Sequence, residues 1–183
     1  MSELELLKLV TSRLKKAGIN YMVSGSMAMT FYAKPRMTRD IDIVINIKQT
    51  DVDVMMQLFE ADFYIDKGMM EEAIRYRSMF NIIHLESLIK IDFIIRKNEE
   101  YRIIEFKNRK KIKIGEEVKI DVVSLEDLII SKLYWAKDSL SEIQINDIRN
   151  LMKSDYNLEY VQRWCKNLNL EEILAKVNNE RHK

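Results

Sequence analysis

The chain has 183 residues, 47% hydrophobic and 32% charged, with a formal net charge of +1. This excludes a disordered polymer, and it excludes binding of nucleic acid or membrane through bulk charge, so any basic surface must be local. One cysteine, Cys165, excludes an internal disulfide and fits a reducing, cytoplasmic setting, while no apolar run approaches the ~18 residues that cross a bilayer.

In chain order, the start Ser2-Glu3-Leu4-Glu5 reads as a capping box and not as a secretory signal. Leu4, Leu7, Val10 and Leu14 follow at helical spacing, which predicts an amphipathic helix over residues 2–17. Gly18 ends it and delivers the chain to a short buried strand over 19–23. Ser24-Gly25-Ser26 then turns into a helix-compatible run, Met27-Ala28-Met29-Thr30-Phe31-Tyr32. A second strand carries Ile41, Ile43 and Ile45. Thr50 with Asp53 starts another helix, whose buried face is Val52, Met55, Met56 and Phe59. A short strand is expected at 63–65, then an irregular stretch through Lys67-Gly68-Met69-Met70. Residues 81–85 and 88–95 read as an antiparallel hairpin turning near Glu86-Ser87. A short helix at 99–107 precedes a second hairpin, 111–114 with 118–123, around Gly115-Glu116-Glu117. From Ser124 and Asp127, which cap a helix, the chain reads as helical, with further helices near 141–153, 157–167 and 170–180. The pattern implies an α/β (α+β) protein: a mixed sheet flanked by helices over 1–123, closed by a C-terminal helical bundle over 124–183.

Asp40 and Asp42 are the most informative residues. Side chains at i and i+2 of a strand share a face about 7 Å apart, so two carboxylates stand side by side while the isoleucines point into a core. Such a pair repels unless a cation lies between them, and oxygen-only ligands suit Mg²⁺ or Mn²⁺. Upstream, the turn at Gly25-Ser26 exposes backbone N–H groups and a hydroxyl, which is what a phosphate chain needs. Downstream, Asp92 interrupts the apolar strand Ile89-Lys90-Ile91-Asp92-Phe93-Ile94-Ile95. A charge there is costly unless it is metal-bound or paired, with Lys90 or a nearby arginine as the pairing partner.

The set Gly25-Ser26, Thr38-x-Asp40-x-Asp42 and Asp92 resembles the signature of the DNA polymerase beta-like nucleotidyltransferase superfamily. The helix segment around Lys132 and the later Asn146-Asp147-Ile148 are similar to downstream motifs of the AbiEii-type branch, the toxins of toxin–antitoxin systems. The resemblance spans roughly residues 19–152. It implies a nucleotidyltransferase fold, with the catalytic core in 1–123. Asp40, Asp42 and Asp92 would hold the metal, Mg²⁺ or Mn²⁺. Gly25 and Ser26 would cradle the phosphates of a nucleoside triphosphate, and Lys132 would face them, supported by Asp147. Arg36 and Thr38 flank the metal strand and are read either as helpers there or as a solvated arginine and a strand-entry hydrogen bond. For Asp147 the alternative is an exposed acid pairing with Arg149 or a helix end.

The implied activity is transfer of NMP from an NTP to an acceptor hydroxyl, on RNA such as tRNA or on a protein, in a toxin with a cognate antitoxin. An antibiotic-modifying enzyme of the lincosamide or aminoglycoside kind shares this core, and so does a non-catalytic nucleotide-binding antitoxin. No Walker A loop is present, which argues against an ordinary P-loop phosphotransferase. His84, Cys165 and the 11 methionines read as packing. The basic run from Lys107 to Lys113 reads as a solvated strand edge, with guidance of an RNA backbone as its alternative.

Overall fold

The computed structural model describes residues 1–34, 40–115, 118–139 and 141–179. The element order is α1 (Glu3–Lys16), β1 (Tyr21–Ser24), α2 (Gly25–Met29), β2 (Ile41–Ile45), α3 (Val52–Phe59), β3 (Phe63–Tyr64), α4 (Lys67–Tyr76), β4 (Met79–His84), β5 (Lys90–Ile95), α5 (Glu100–Lys107), β6 (Lys110–Ile114), β7 (Val118–Val122), α6 (Leu125–Ser139), α7 (Glu142–Leu151), α8 (Leu158–Asn167) and α9 (Glu171–Asn179). The strands form one seven-stranded sheet in the order β3-β4-β5-β2-β1-β7-β6. The β1–β7 and β2–β5 pairs are parallel, and the other neighbours are antiparallel. Among the described residues no helix is long and apolar enough to cross a membrane.

The period-two pattern gives the sheet two unlike faces. On β2, Ile41, Ile43 and Ile45 are buried while Asp42 and Val44 are only partly covered. The same parity holds on β5, where Ile91, Phe93 and Ile95 point into the core. Phe59 of α3 packs there, 5.8 Å from Phe93 and 5.3 Å from Phe63 between ring centroids. The opposite face of β2, β5 and β4 is left for a site. Farther along, β1 is covered on both sides, with Tyr21, Met22 and Val23 all buried.

The capping box of α1 is present: Glu5 N–H donates to Ser2 Oγ at 3.3 Å, and Ser2 N–H donates to Glu5 Oε2 at 2.7 Å. Leu4, expected on the buried stripe, is exposed, and Leu6 is buried in its place. A helix seated on a protein core buries a band wider than one line of its surface. The stretch expected to be irregular from Lys67 is instead α4. Asp66 caps it, accepting from the Met69 N–H at 2.7 Å, and Met70 and Ala73 face the core. The expected hairpin of β4 and β5 forms, as does the pair β6–β7, whose turn residues Glu116 and Glu117 lie outside the described residues. The run from Lys107 to Lys113 ends α5 and forms β6 at the edge of the sheet, where Lys110, Lys111 and Lys113 are exposed.

The helical half is pinned through Asp127, which is fully buried. Its carboxylate accepts from Ser124 Oγ at 2.7 Å, Tyr160 Oη at 2.8 Å, Asn108 Nδ2 at 3.2 Å and Tyr101 Oη at 3.3 Å. One carboxylate thus joins α5, α6 and α8. Removing a buried acceptor leaves its donors desolvated and unmade, so Asp127→Ala lowers the unfolding free energy by about 3 kcal/mol. Urea denaturation followed by far-UV circular dichroism measures this, and a loss below about 1 kcal/mol would show the cluster to be dispensable.

Candidate active site

Ser24, the last residue of β1, lies opposite Asp42 in the antiparallel ladder. The chain leaves it through Gly25 with φ +62°, a left-handed conformation that side chains rarely adopt. A Cβ on Gly25 would lie 1.9 Å from Asp42 Oδ2, so the carboxylate occupies the space that any other residue's side chain would need. This requirement is invisible in the sequence except as the glycine itself. Burial pushes the Asp42 carboxyl above its usual range, Asp92 and Asp40 push the same way, and Lys132 and Lys90 partly offset them.

On the parallel β2–β5 ladder, Asp42 and Asp92 are register partners, which sets their backbones about 4.8 Å apart. The Asp92 side chain is only 7% exposed. Its Oδ2 receives Lys90 Nζ at 2.8 Å, while its Oδ1 is buried without a hydrogen-bond partner. Asp40 sits one residue before β2 and is exposed, a departure from the expectation that both acids lie within the strand. Lys90 Nζ also lies 3.8 Å from Asp40 Oδ1. Among the described residues no three His, Cys, Asp or Glu side chains are grouped closely enough to enclose an ion position. The donor set nonetheless fits a hard divalent cation: every donor is a carboxylate oxygen, negative charge is in excess around Asp42, and one buried oxygen is unsatisfied.

Across from these acids runs α6. Lys132 Nζ donates to Asp147 Oδ2 of α7 at 2.8 Å, and both side chains are almost fully buried. Asp147 is therefore a buried acid, where the alternative expects an exposed one. Its carboxylate fixes the ammonium that faces Asp42. Gly25, Ser26, Asp42 and Lys132 all line one cleft of about 610 Å³ between the open sheet face and α6. Arg36 and Thr38 lie outside the described residues.

The rest of this cleft escaped the sequence reading. Its apolar lining includes Val44, Ile94 and Met79 of the sheet and Leu128 of α6. Arg102 bridges Glu105 at 2.9 Å and Ser131 Oγ at 2.8 Å, and stands 5.2 Å from the Tyr134 ring centre. Burial raises the Glu105 carboxyl, against the pull of Arg102. Arg77, Arg96 and Lys97 line the far end, and no carboxylate of the described residues pairs with them. Arg77 Nη1 donates to the Arg96 carbonyl at 2.9 Å, which draws them together. Tyr76 and Trp135, 68% and 67% exposed, line the cleft there too. Trp135 could have been found, since it follows Lys132 by three residues on a helix and so shares its face. Nothing in the chain marks Arg77, which ends the helix that was not foreseen.

No protein-family model matches the sequence, and no curated protein does. Solved structures do. An antigenic nucleotidyltransferase-like protein from Paracoccidioides brasiliensis aligns with a TM-score of 0.57 at 16% identity, over 81% of this chain and 72% of that one. The lincosamide antibiotic adenylyltransferase LnuA, with lincomycin bound, aligns at 0.53 and 18% identity, over 83% of this chain and 97% of its own. ANT(2″)-Ia, in complex with adenylyl-2″-tobramycin, aligns at 0.55 and 13% identity, over 99% of both chains. At these identities the likeness establishes the fold: this chain has the nucleotidyltransferase fold, a mixed sheet with helices on its buried face and a helical half after the last strand.

Proposed function

We propose that this chain is a nucleotidyltransferase that moves NMP from an NTP to an acceptor hydroxyl. The observation that carries the reading is the contact of the Asp42 carboxylate with Gly25 beside its register partner Asp92, at one end of the cleft. Asp40, Asp42 and Asp92 would hold Mg²⁺ or Mn²⁺, which supplies positive charge to phosphate oxygens when bound. Gly25 and Ser26 border the place for the triphosphate, and Lys132, held by Asp147, presents a fixed ammonium to it. The acceptor oxygen forms a bond to the α-phosphorus, the bond to the pyrophosphate oxygen breaks, and the acceptor's proton leaves to water in the cleft.

For the acceptor we favour RNA. Arg77, Arg96 and Lys97 make the outer cleft cationic, and Tyr76 and Trp135 offer flat faces for bases. A polycationic aminoglycoside would meet like charge there. A lincosamide carries less charge and the cleft has apolar side chains in its lining, so that acceptor is the second reading. A toxin of the AbiEii kind, silenced by a cognate antitoxin, is the finer form of the RNA reading. Growth arrest on induction that requires Asp42 would support it.

Incubation with α-labelled NTPs and Mg²⁺ should put label into total RNA, and not into lincomycin or tobramycin, with loss of transfer in Asp42→Ala. Equal transfer by that variant, or none by wild type to RNA, protein or drug, sinks the proposal. Gly25→Ala should cut transfer at least about 100-fold by displacing the Asp42 carboxylate, since errors near 1 Å cost that much. Wild-type turnover in that variant would refute the packing argument. The double variant Arg77→Ala/Arg96→Ala should flatten the salt dependence of RNA binding, lowering the slope of log K against log salt by about 1.4. An unchanged slope in fluorescence titrations would remove the outer cleft from the RNA path.

A further inference from the structure

The site holds two lysines of opposite character. Lys132 is buried, its side chain 6% exposed, and its ammonium is fastened to Asp147. Lys90 is 41% exposed at its side chain, with its ammonium lodged against Asp92 Oδ2 at 2.8 Å and 3.8 Å from Asp40 Oδ1. Its placement follows from the backbone. Lys90 and Asp92 are i and i+2 on β5, hence on one face, and Asp92 is in register with Asp42 on the strand that Asp40 enters.

We propose that Lys90 is a tethered competitor of the divalent ion: its ammonium and the metal claim the same oxygens of Asp92 and Asp40, so one must leave for the other to enter. This rests on the nucleotidyltransferase reading only for what the metal is for. A divalent ion takes carboxylate oxygens at about 2.0–2.6 Å. An ammonium hydrogen-bonded to the same oxygen would then stand within a few ångströms of it, and two cations that close repel strongly in a site as closed as that of Asp92. The unpartnered Oδ1 of Asp92 shows that the lysine satisfies only half of this buried carboxylate, an incomplete substitute for an ion that a carboxylate can hold through both oxygens. The flexible four-carbon stem of Lys90, partly in solvent, lets the ammonium swing out without disturbing the core. Lys132 has no such freedom, which makes it a permanent part of the site. Lys90 is thus a positioning residue that raises the metal concentration at which the acids are loaded.

The test is Mn²⁺ binding to the full chain without nucleotide, measured by electron paramagnetic resonance of the free ion. Lys90→Met, which keeps the stem and removes the charge, should bind Mn²⁺ about tenfold or more tightly than wild type, as loss of a charge-assisted bond to Asp92 implies. Lys90→Arg should stay near wild type, and Asp92→Asn should abolish the gain in the Lys90→Met background. Binding by Lys90→Met that is equal to or weaker than wild type overturns the proposal, because then the lysine helps to organise the acids. A gain that persists with Asp92→Asn also overturns it. None of these readouts requires turnover, so a failure of the transfer assay with a positive Mn²⁺ result would count against the activity and not against this competition.

Discussion

A carboxylate pressed against a glycine governs how this site is built. Asp42 Oδ2 occupies the volume where a Cβ of residue 25 would be, so the backbone entering α2 can come close to the acid. The cost of gathering charge there is written into Asp42 itself, whose carboxyl is raised by burial and by its two acidic neighbours. Two cations from different directions moderate that cost, Lys132 from α6 and Lys90 from β5. The glycine sets the approach, the parallel register supplies Asp92, and the lysines offset part of the excess of negative charge.

The outer cleft follows a different logic. Near Asp42 the groups are closely paired, whereas toward Arg77, Arg96 and Lys97 the positive charge is not matched by carboxylates of the described residues. The two ends of the cleft thus differ in sign, acidic around Asp42 and cationic toward Arg96. A net charge of +1 for the chain conceals this asymmetry. Bulk charge describes association at a distance, and the cleft works at contact.

How much of this could be read from the chain varied with range. Period-two isoleucines in β2, the capping box of α1 and the strand pair around residue 86 are local patterns, and local physics preserved them. α4 was missed because Gly68 weakens the helical signal and only Met70 and Ala73 are buried, leaving too sparse a stripe to see. Asp40, Asp42 and Asp92 could be singled out because acids among apolar neighbours are conspicuous. The partner of Asp92 could be narrowed to Lys90 by strand parity, whereas Asp147 needed the packing of α7 on α6 to become the counter-ion of Lys132. Arg102, Glu105 and Ser131 come from two helices separated by a hairpin, and no local rule brings them together.

Helix α6 serves two masters. Near its start Asp127 is clasped by Tyr101, Asn108, Ser124 and Tyr160, and one to two turns later Lys132 and Trp135 face the cleft. A rigid rod anchored at one end carries any displacement of the anchor to its working side. Sequence drift in the aromatic cluster behind α6 is thereby transmitted to the cleft, and selection on what the cleft does would reach residues that never line it.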